Sequence, residues 1–266
     1  VFWAKSMRWG QHALRWVRPL HAILCQFDGA VVPFEFGHLR AGNITHGHRF
    51  MAPGSFQVAD ANDYRRKLLA AKVMLDPKDR KDAIWTGALA LAEAEGLVLE
   101  DDPALLAENA GLNEWPTPLV GGFDEAFLAV PEEALVSAMR KHQKYFALRD
   151  AAGKLAPRFV LVSNIETTDA GAAIVAGNER VLRARLSDAR FFWDQDLKAG
   201  LEAGLPALSG MVFHAKLGSL GDKVRRIAAL SADLSKFVPD ANGVRAIRAA
   251  KLAKADLVTA MVGEFP

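Results

Sequence analysis

The sequence predicts an α+β fold, and three observations carry that expectation. Runs of β-favouring residues come in pairs joined by tight-turn signals, Asp28-Gly29 in one place and residues 150–153 in another. Helical patterns lie between and after these pairs, without the regular alternation of strand and helix that builds a doubly wound sheet. The stretch GNERVLRARLSDARFFWD, residues 177–194, has the amphipathic period of a long helix.

Taken in order, residues 6–16 carry Met7, Arg8, Trp9, His12, Arg15 and Trp16 and stop before Arg18-Pro19, where the proline disfavours helix in the residue before it. Residues 21–27 and 30–36 form the first expected hairpin. His21 and Cys25 within it read as packed or edge residues, because no partners sit at metal-ligand spacing. Residues 40–50 read as a polar, glycine-containing loop with His46, His48 and Arg49. A His-x-His pair is a possible metal ligand set, but no third ligand lies nearby, which favours an anion-binding or hydrogen-bonding loop.

The spacing predicts a helix over 59–76, capped by Asp60 or Asn62 and ended by Asp76-Pro77, and a second over 77–95, stopped by Gly96. Asp102 and Pro103 start a short helix to about residue 109, and residues 114–118 are extended or turn-like. Residues 127–130 are expected as a strand. Pro131-Glu132-Glu133 then opens a helix whose inner face carries Leu135, Met139 and His142. The second hairpin joins 144–149 to 154–165. From 197 to 263 the pattern is almost entirely helical, punctuated by Gly210, Gly218 and residues 239–243, with a domain boundary near residues 205–211.

On the helix at 177–194, Leu182, Leu186, Ala189 and Trp193 fall on one stripe that should be buried. Arg183 and Arg190 share a flank with Arg180 further round, while Arg185 points the other way, within reach of Asp188. Guanidinium groups suit phosphates and carboxylates, so these arginines are either nucleic-acid contacts or a solvated, ion-paired face.

With 51% apolar and 24% charged residues, the chain has the composition of a globular protein, and no apolar run is long enough to span a bilayer. A single cysteine excludes an internal disulfide and a cysteine-based zinc site and fits a reducing, cytoplasmic setting. A formal charge of +2 requires any phosphate-binding surface to come from local clustering. Val1 is not methionine, the opening residues lack signal-peptide anatomy, and the end follows a helical pattern directly, so the chain reads as an internal fragment. No Walker loop, dinucleotide fingerprint, HExxH or nucleophile elbow is present. The remaining candidate sets are residues 142–146 (HQKYF), 46–50 (HGHRF) and 178–180 (NER), each compatible with chemistry or with a structural network.

Several ordered motifs carry a family resemblance: MRWG (7–10), VRPLH (17–21), GHRF (47–50), EWP (114–116), HQKYF (142–146), RFVLVSNI (158–165), GNERVLRARLSDARFF (177–192), FHAKLGSLGDK (213–223) and KADLVTAMVGEFP (254–266). Across practically its whole length the chain resembles the β subunit of bacterial heterotetrameric glycyl-tRNA synthetase. The resemblance implies a subunit of glycine–tRNA ligase that binds and positions tRNA(Gly). The class II aminoacylation site, with its ATP and magnesium, is expected on the α subunit of an α2β2 complex, so neither catalytic residues nor a cofactor are expected on this chain.

The resemblance also implies a B3/B4-like α+β module over 1–207 and the start of a helical HD-type domain over 208–266. His214 matches the first metal-binding position of HD hydrolases and Asp256 the aspartate of their His-Asp pair, but Ala255 stands where the histidine of the pair should be. A degenerate site is therefore expected, with no metal, on a scaffold whose Lys216, Lys223, Arg225 and Arg226 face RNA or neighbouring domains. The tRNA contacts implied are Arg180, Arg183 and Arg190, supported by Arg49, His142 and Lys144, with Arg185 bracing the fold. The alternatives are an HD-type metal-dependent phosphohydrolase and a purely structural module that docks the α subunit.

Overall fold

A computed structural model describes residues 3–265. It is mixed α and β, with 48% helix against 17% strand in small, mostly antiparallel sheets, the balance of an α+β fold. The chain forms two compact units, one made of residues up to 120 with 160–174, the other of 121–159 with 175 onward.

In the first unit the Asp28-Gly29 hairpin is present. Gln26–Phe27 pairs antiparallel with Ala30–Val31, and both turn residues have positive φ, 47° and 77°, as a two-residue turn of this hand requires. The strands are much shorter than 21–27 and 30–36. Pro33 has no amide to give to a ladder, and beyond it Glu35–Phe36 pairs antiparallel with Leu39–Gly42, a strand that Ile23–Leu24 joins in parallel. Residues 40–50 are correspondingly not one loop. Ile44–His46 is a strand paired with Ser55–Gln57, and β-branched Ile44 and Thr45 suit it.

The first helix, Ala61–Ala70, is capped by Asp60, which accepts the Asp63 amide. It ends well before residue 76, because Lys72 takes a left-handed turn (φ 60°) and Met74 donates its amide to the Glu114 carbonyl. Asp63 sits under this helix start. It accepts the Ala59 amide at 3.0 Å and is paired with Lys67 at 2.8 Å and Arg66 at 2.5 Å, and these groups hold its carboxyl at about 2. The second helix, Pro77–Ala94, is capped by Asp76, expected only as the end of the helix before it, and stops as expected at Gly96 (φ 68°), where Leu97 donates back to Ala92. Pro103–Leu112 follows, capped by Asp102 and running past residue 109, with Asn109 and Asn113 donating to the carbonyls four residues earlier. Arg80 fastens the second helix to the third by donating to the carbonyls of Ala110 and Met74.

In the second unit, residues 127–130 do not form a strand. Asp124 caps a 3-10 helix, Glu125–Ala129, by accepting the Ala126 amide, and this local closure outcompetes an extended run of four residues. The helix from Pro131 forms as Glu132–Ser137 but continues as a π-turn, Ala138–Gln143. Leu135 and Met139 are buried, whereas His142 is exposed rather than on the inner face. A π-turn rotates less per residue than an α-helix, which carries position 142 off the buried stripe. Lys144 (φ 62°) ends the turn, and Phe146–Arg149 and Leu155–Ser163 make the second hairpin around Gly153 (φ 80°), with Thr117–Gly122 on the far side of Leu155–Ser163.

The arginine-rich stretch lies in a 28-residue helix, Ala172–Ala199. Leu182, Leu186 and Ala189 have no solvent exposure, and Trp193 is half-buried, so the expected stripe is the packed one. Beyond it the chain is less helical than its pattern implies. A 3-10 segment, Leu201–Gly210, leads to a small hairpin, Val212–His214 with Gly218–Ser219, because β-favouring Val212 and Phe213 are returned by Gly218 at φ 84°. Ser219 and Asp222 form a capping box for Leu220–Leu234, which packs Leu220 and Val224 on Leu208, Leu205 and Val258. Gly243–Leu252 and Ala260–Glu264 follow, the latter opened by Asp196, which accepts the amides of Ala260 and Met261.

Two outcomes are expected. Leu186→Ala should lower unfolding free energy in urea by about 2–5 kcal/mol, the usual loss for a fully buried leucine. Asp63 has a folded pKa below its ordinary 3.8, so its contribution is complete above pH 3.8 and fades as pH falls towards about 2. Asp63→Asn should therefore be less stable at neutral pH and flatter in an acid titration over that window.

Candidate nucleic-acid interface

Burial of Leu182, Leu186 and Ala189 turns the opposite face of the long helix to solvent, and Arg180, Arg183, Arg185 and Arg190 are all exposed. Seven residues of α-helix bring Arg183 and Arg190 to within about 20° of each other in projection. Their surroundings differ. Arg190 donates to the Ala126 carbonyl at 3.0 Å and lies 3.9 Å from Asp194, so it ties the helix to the 3-10 segment Glu125–Ala129. Among the described residues, the side chains of Arg180 and Arg183 make no hydrogen bond or ion pair. Arg185 also makes none, so the expected Arg185–Asp188 pair is absent. An exposed pair gains too little to hold the long Arg185 side chain in one geometry.

Glu179 does not neutralise the arginines either. Its Oε1 accepts the Gly122 amide at 2.8 Å, at a glycine where an added Cβ would lie 2.9 Å from the Arg158 guanidinium. Arg183 borders an open depression lined by Gly122, Phe123, Asp124, Glu125, Pro157 and Arg158, a surface of mixed sign.

Two sequence sets of chemically active composition meet at the start of this helix. Tyr145, buried and stacked on Phe159 with ring centroids 4.5 Å apart, donates its hydroxyl to Asn178 Oδ1 at 2.5 Å. Burial pushes the phenol up to about 12, so it stays protonated as a donor across physiological pH. HQKYF and GNER are thus joined by a structural bond. Of the other residues expected to contact RNA, His142 is exposed on the π-turn and Lys144 is half-buried at its left-handed end.

The first unit holds a second convergence. His48 is 1% exposed; its Nδ1 accepts the amides of Phe50 (3.3 Å) and Met51 (3.2 Å), which leaves the ring proton on Nε2, donated to the Asn164 carbonyl at 2.7 Å. Both ring nitrogens are therefore committed, and His46, on its own strand and exposed, forms no ligand pair with it. The side-chain oxygen of Asn164 accepts the amides of Glu114 (2.6 Å) and Trp115 (3.0 Å). GHRF, EWP and the SNI of residues 163–165 are in this way knotted together. Glu166 completes the group: its carboxylate takes the Trp115 indole N–H at 2.8 Å and Lys72 at 3.0 Å, and these two donors hold it below the usual carboxylate range. Arg49 is exposed on the loop that follows His48. Sequence reasoning misses Asn164, Trp115, Glu166 and Lys72 as members of a site; the one signal for them is a polar Ser-Asn pair ending an otherwise apolar strand.

His214 is not on a helix but on the exposed strand Val212–His214, where its Nδ1 accepts the Lys216 amide, and Asp256 is exposed in the 3-10 turn Ala255–Val258. Among the described residues, no group of three or more His, Cys, Asp or Glu side chains is gathered to hold a metal ion, and no helix is long and apolar enough to cross a membrane. The knot around Asn164 gives a direct expectation. Asn164→Ala should lower stability by about 1–3 kcal/mol, the net loss of two hydrogen bonds, and should raise amide hydrogen exchange at Glu114 and Trp115.

The family model described as glycyl-tRNA synthetase beta subunit matches residues 1–266. Among curated proteins, the glycine–tRNA ligase beta subunit of Rhodospirillum centenum is 52% identical over 290 residues, covering 99% of this chain and 41% of the relative. That of Phenylobacterium zucineum is 52% identical over 268 residues (99% and 40%), and that of Cereibacter sphaeroides 51% over 272 (99% and 39%). The chain thus spans about 40% of the length of these relatives. With the family model matched from its first residue to its last, this chain belongs to the glycyl-tRNA synthetase beta subunit family.

Proposed function

We propose that this chain is the part of a glycine–tRNA ligase β subunit that binds tRNA(Gly) through its phosphate backbone and holds it for glycylation by the α subunit. In this reading the aminoacylation site, with ATP and Mg2+, belongs to the α subunit of an α2β2 complex in the cytoplasm, and no residue here acts on glycine. Residues 1–207 act as the B3/B4-like module and 208–266 as the start of an HD-like scaffold in which His214 and Asp256 are remnants. Arg180, Arg183 and Arg190 are the principal contacts, with Arg49, His142 and Lys144 in support.

One observation carries the reading: Arg180 and Arg183 are exposed on a helix whose other side is packed, and among the described residues neither has a protein partner. Guanidinium groups left unneutralised on a rigid support are suited to phosphate oxygens, and such contacts position a nucleic acid without reading its sequence. Arg190 differs, since its bond to Ala126 also supports the fold.

The test is tRNA(Gly) binding across a salt series. Arg180→Ala/Arg183→Ala should weaken binding at low salt and shallow the log–log salt slope by about two, since each neutralised phosphate contributes roughly 0.9. Arg190→Ala should add a loss of thermal stability. An unchanged slope in the double variant rules out the contact role of this helix, and association with the α subunit without salt-sensitive tRNA binding favours a docking module instead.

A further inference from the structure

Phe50 is 70% exposed, yet it stands on one of the most tightly constrained loops of the first unit. The buried His48 ring accepts the amides of Phe50 and Met51, the His48 carbonyl accepts the Ala52 amide at 3.0 Å, and the His48 amide is bonded to Ala71. Gly47, just before, has no room for a side chain, because a Cβ there would lie 2.6 Å from that of Ala71. A chain segment pinned on every side could have turned its phenylalanine inward. This one displays it.

Other exposed aromatic rings differ in setting: Phe213, 39% exposed, has Lys223 3.9 Å from its ring centroid but stands on the exposed strand Val212–His214 rather than on a loop pinned by a buried side chain. Phe27, 78% exposed, is at a hairpin tip followed by Asp28, and Phe237, 82% exposed, follows Lys236, which is paired with Asp233. Phe50 instead has the exposed guanidinium of Arg49 at 5.6 Å from its ring centroid. The same knot holds a second pairing of cation and aromatic ring, with Lys72 4.5 Å from the Trp115 ring, and Glu166 reaches the Phe50 side of the knot by donating its amide to the Met51 sulfur. Aromatic faces interleaved with cations on a rigid support are what single-stranded nucleic acid requires. A base can stack on a ring while its flanking phosphate meets a guanidinium, and the stacking tolerates any sequence because every base has a π-face. A loop held in this way loses little freedom on binding.

We infer that Arg49 and Phe50 form a docking point for an unpaired nucleotide, Phe50 stacking on the base and Arg49 contacting the adjoining phosphate. This rests on the tRNA-binding reading above and adds to it a site for unpaired rather than helical RNA, in which Lys72, already neutralised by Glu166, supports Trp115 instead of binding phosphate.

Fluorescence anisotropy with this chain and two labelled probes, a mixed-sequence single-stranded oligoribonucleotide and tRNA(Gly), tests it. Phe50→Ala should weaken binding of the oligoribonucleotide by roughly 5- to 150-fold, the range expected when one base–ring stack is removed, without altering the salt slope. Phe50→Trp should retain binding, and Arg49→Ala should shallow the slope by about 0.7. Phe50 buries little, so the melting temperature should be unchanged, and Phe27→Ala serves as the exposed-aromatic control. Binding of Phe50→Ala within twofold of the parent chain overturns the inference. If Arg180→Ala/Arg183→Ala still loses tRNA affinity in that case, the tRNA reading stands without it. Failure of the parent chain to bind either probe at low salt removes both. Loss of α-subunit association in Phe50→Ala with RNA binding intact makes this a protein interface and overturns the nucleotide site.

Discussion

A backbone amide removed from water must find an acceptor, and this chain repeatedly meets that constraint with a carboxylate or amide side chain distant in sequence. Asn164 accepts from Glu114 and Trp115, Glu179 from Gly122, and Asp196 from Ala260 and Met261. Each bond fixes a segment that has little regular structure of its own: the bend before Thr117–Gly122, the glycine pair inside that strand, and the start of the last helix. Helix and sheet ladders supply the bulk of the fold, but these side chains set where the connecting pieces lie. Glu179, which looks functional in the sequence as part of residues 178–180, thus works as a fastener.

That distinction divides the sequence motifs. Tyr145 and Asn178 spend their polar groups on each other, His48 commits both ring nitrogens, and Glu179 is taken by an amide, so none of the three sets with catalytic-looking composition keeps a free acid, base and nucleophile together. On the long helix the side chains of Arg180, Arg183 and Arg185 are exposed and, among the described residues, uncommitted. Asp124 and Glu125 line the same open depression as Arg183 and Arg158, so the surface there is of mixed sign.

Elements governed by local rules were legible in the sequence. Caps at Asp60 and Asp102, the stop at Gly96, the Asp28-Gly29 turn and the stripe Leu182, Leu186, Ala189 all follow from the chemistry of a few adjacent residues. Some misreadings were local, the Asp124 cap at 127–130 and the π-turn that displaces His142, and the others arose where distant partners decide. Residues 73–75 leave the helical pattern because Met74 bonds to Glu114, and Ile44–His46 becomes a strand because Ser55–Gln57 lies beside it. The family resemblance was legible because ordered motifs are a far denser signal than any one of them. The hub at Asn164 was not, since nothing near it in sequence foretells that residues fifty and a hundred and sixteen positions away converge there.

The π-turn at Ala138–Gln143 has a consequence for which side chains of this segment the core constrains. A wide turn of this kind is geometrically a helix holding one residue more than its hydrogen-bond ladder needs. The surplus is held between Leu135 and Met139, which are buried, and Tyr145, whose hydroxyl is bonded to Asn178, so both ends of the turn are fixed. The extra residue is taken up on the outer side of the turn, where Lys141 and His142 are exposed and the core sets no shape for them.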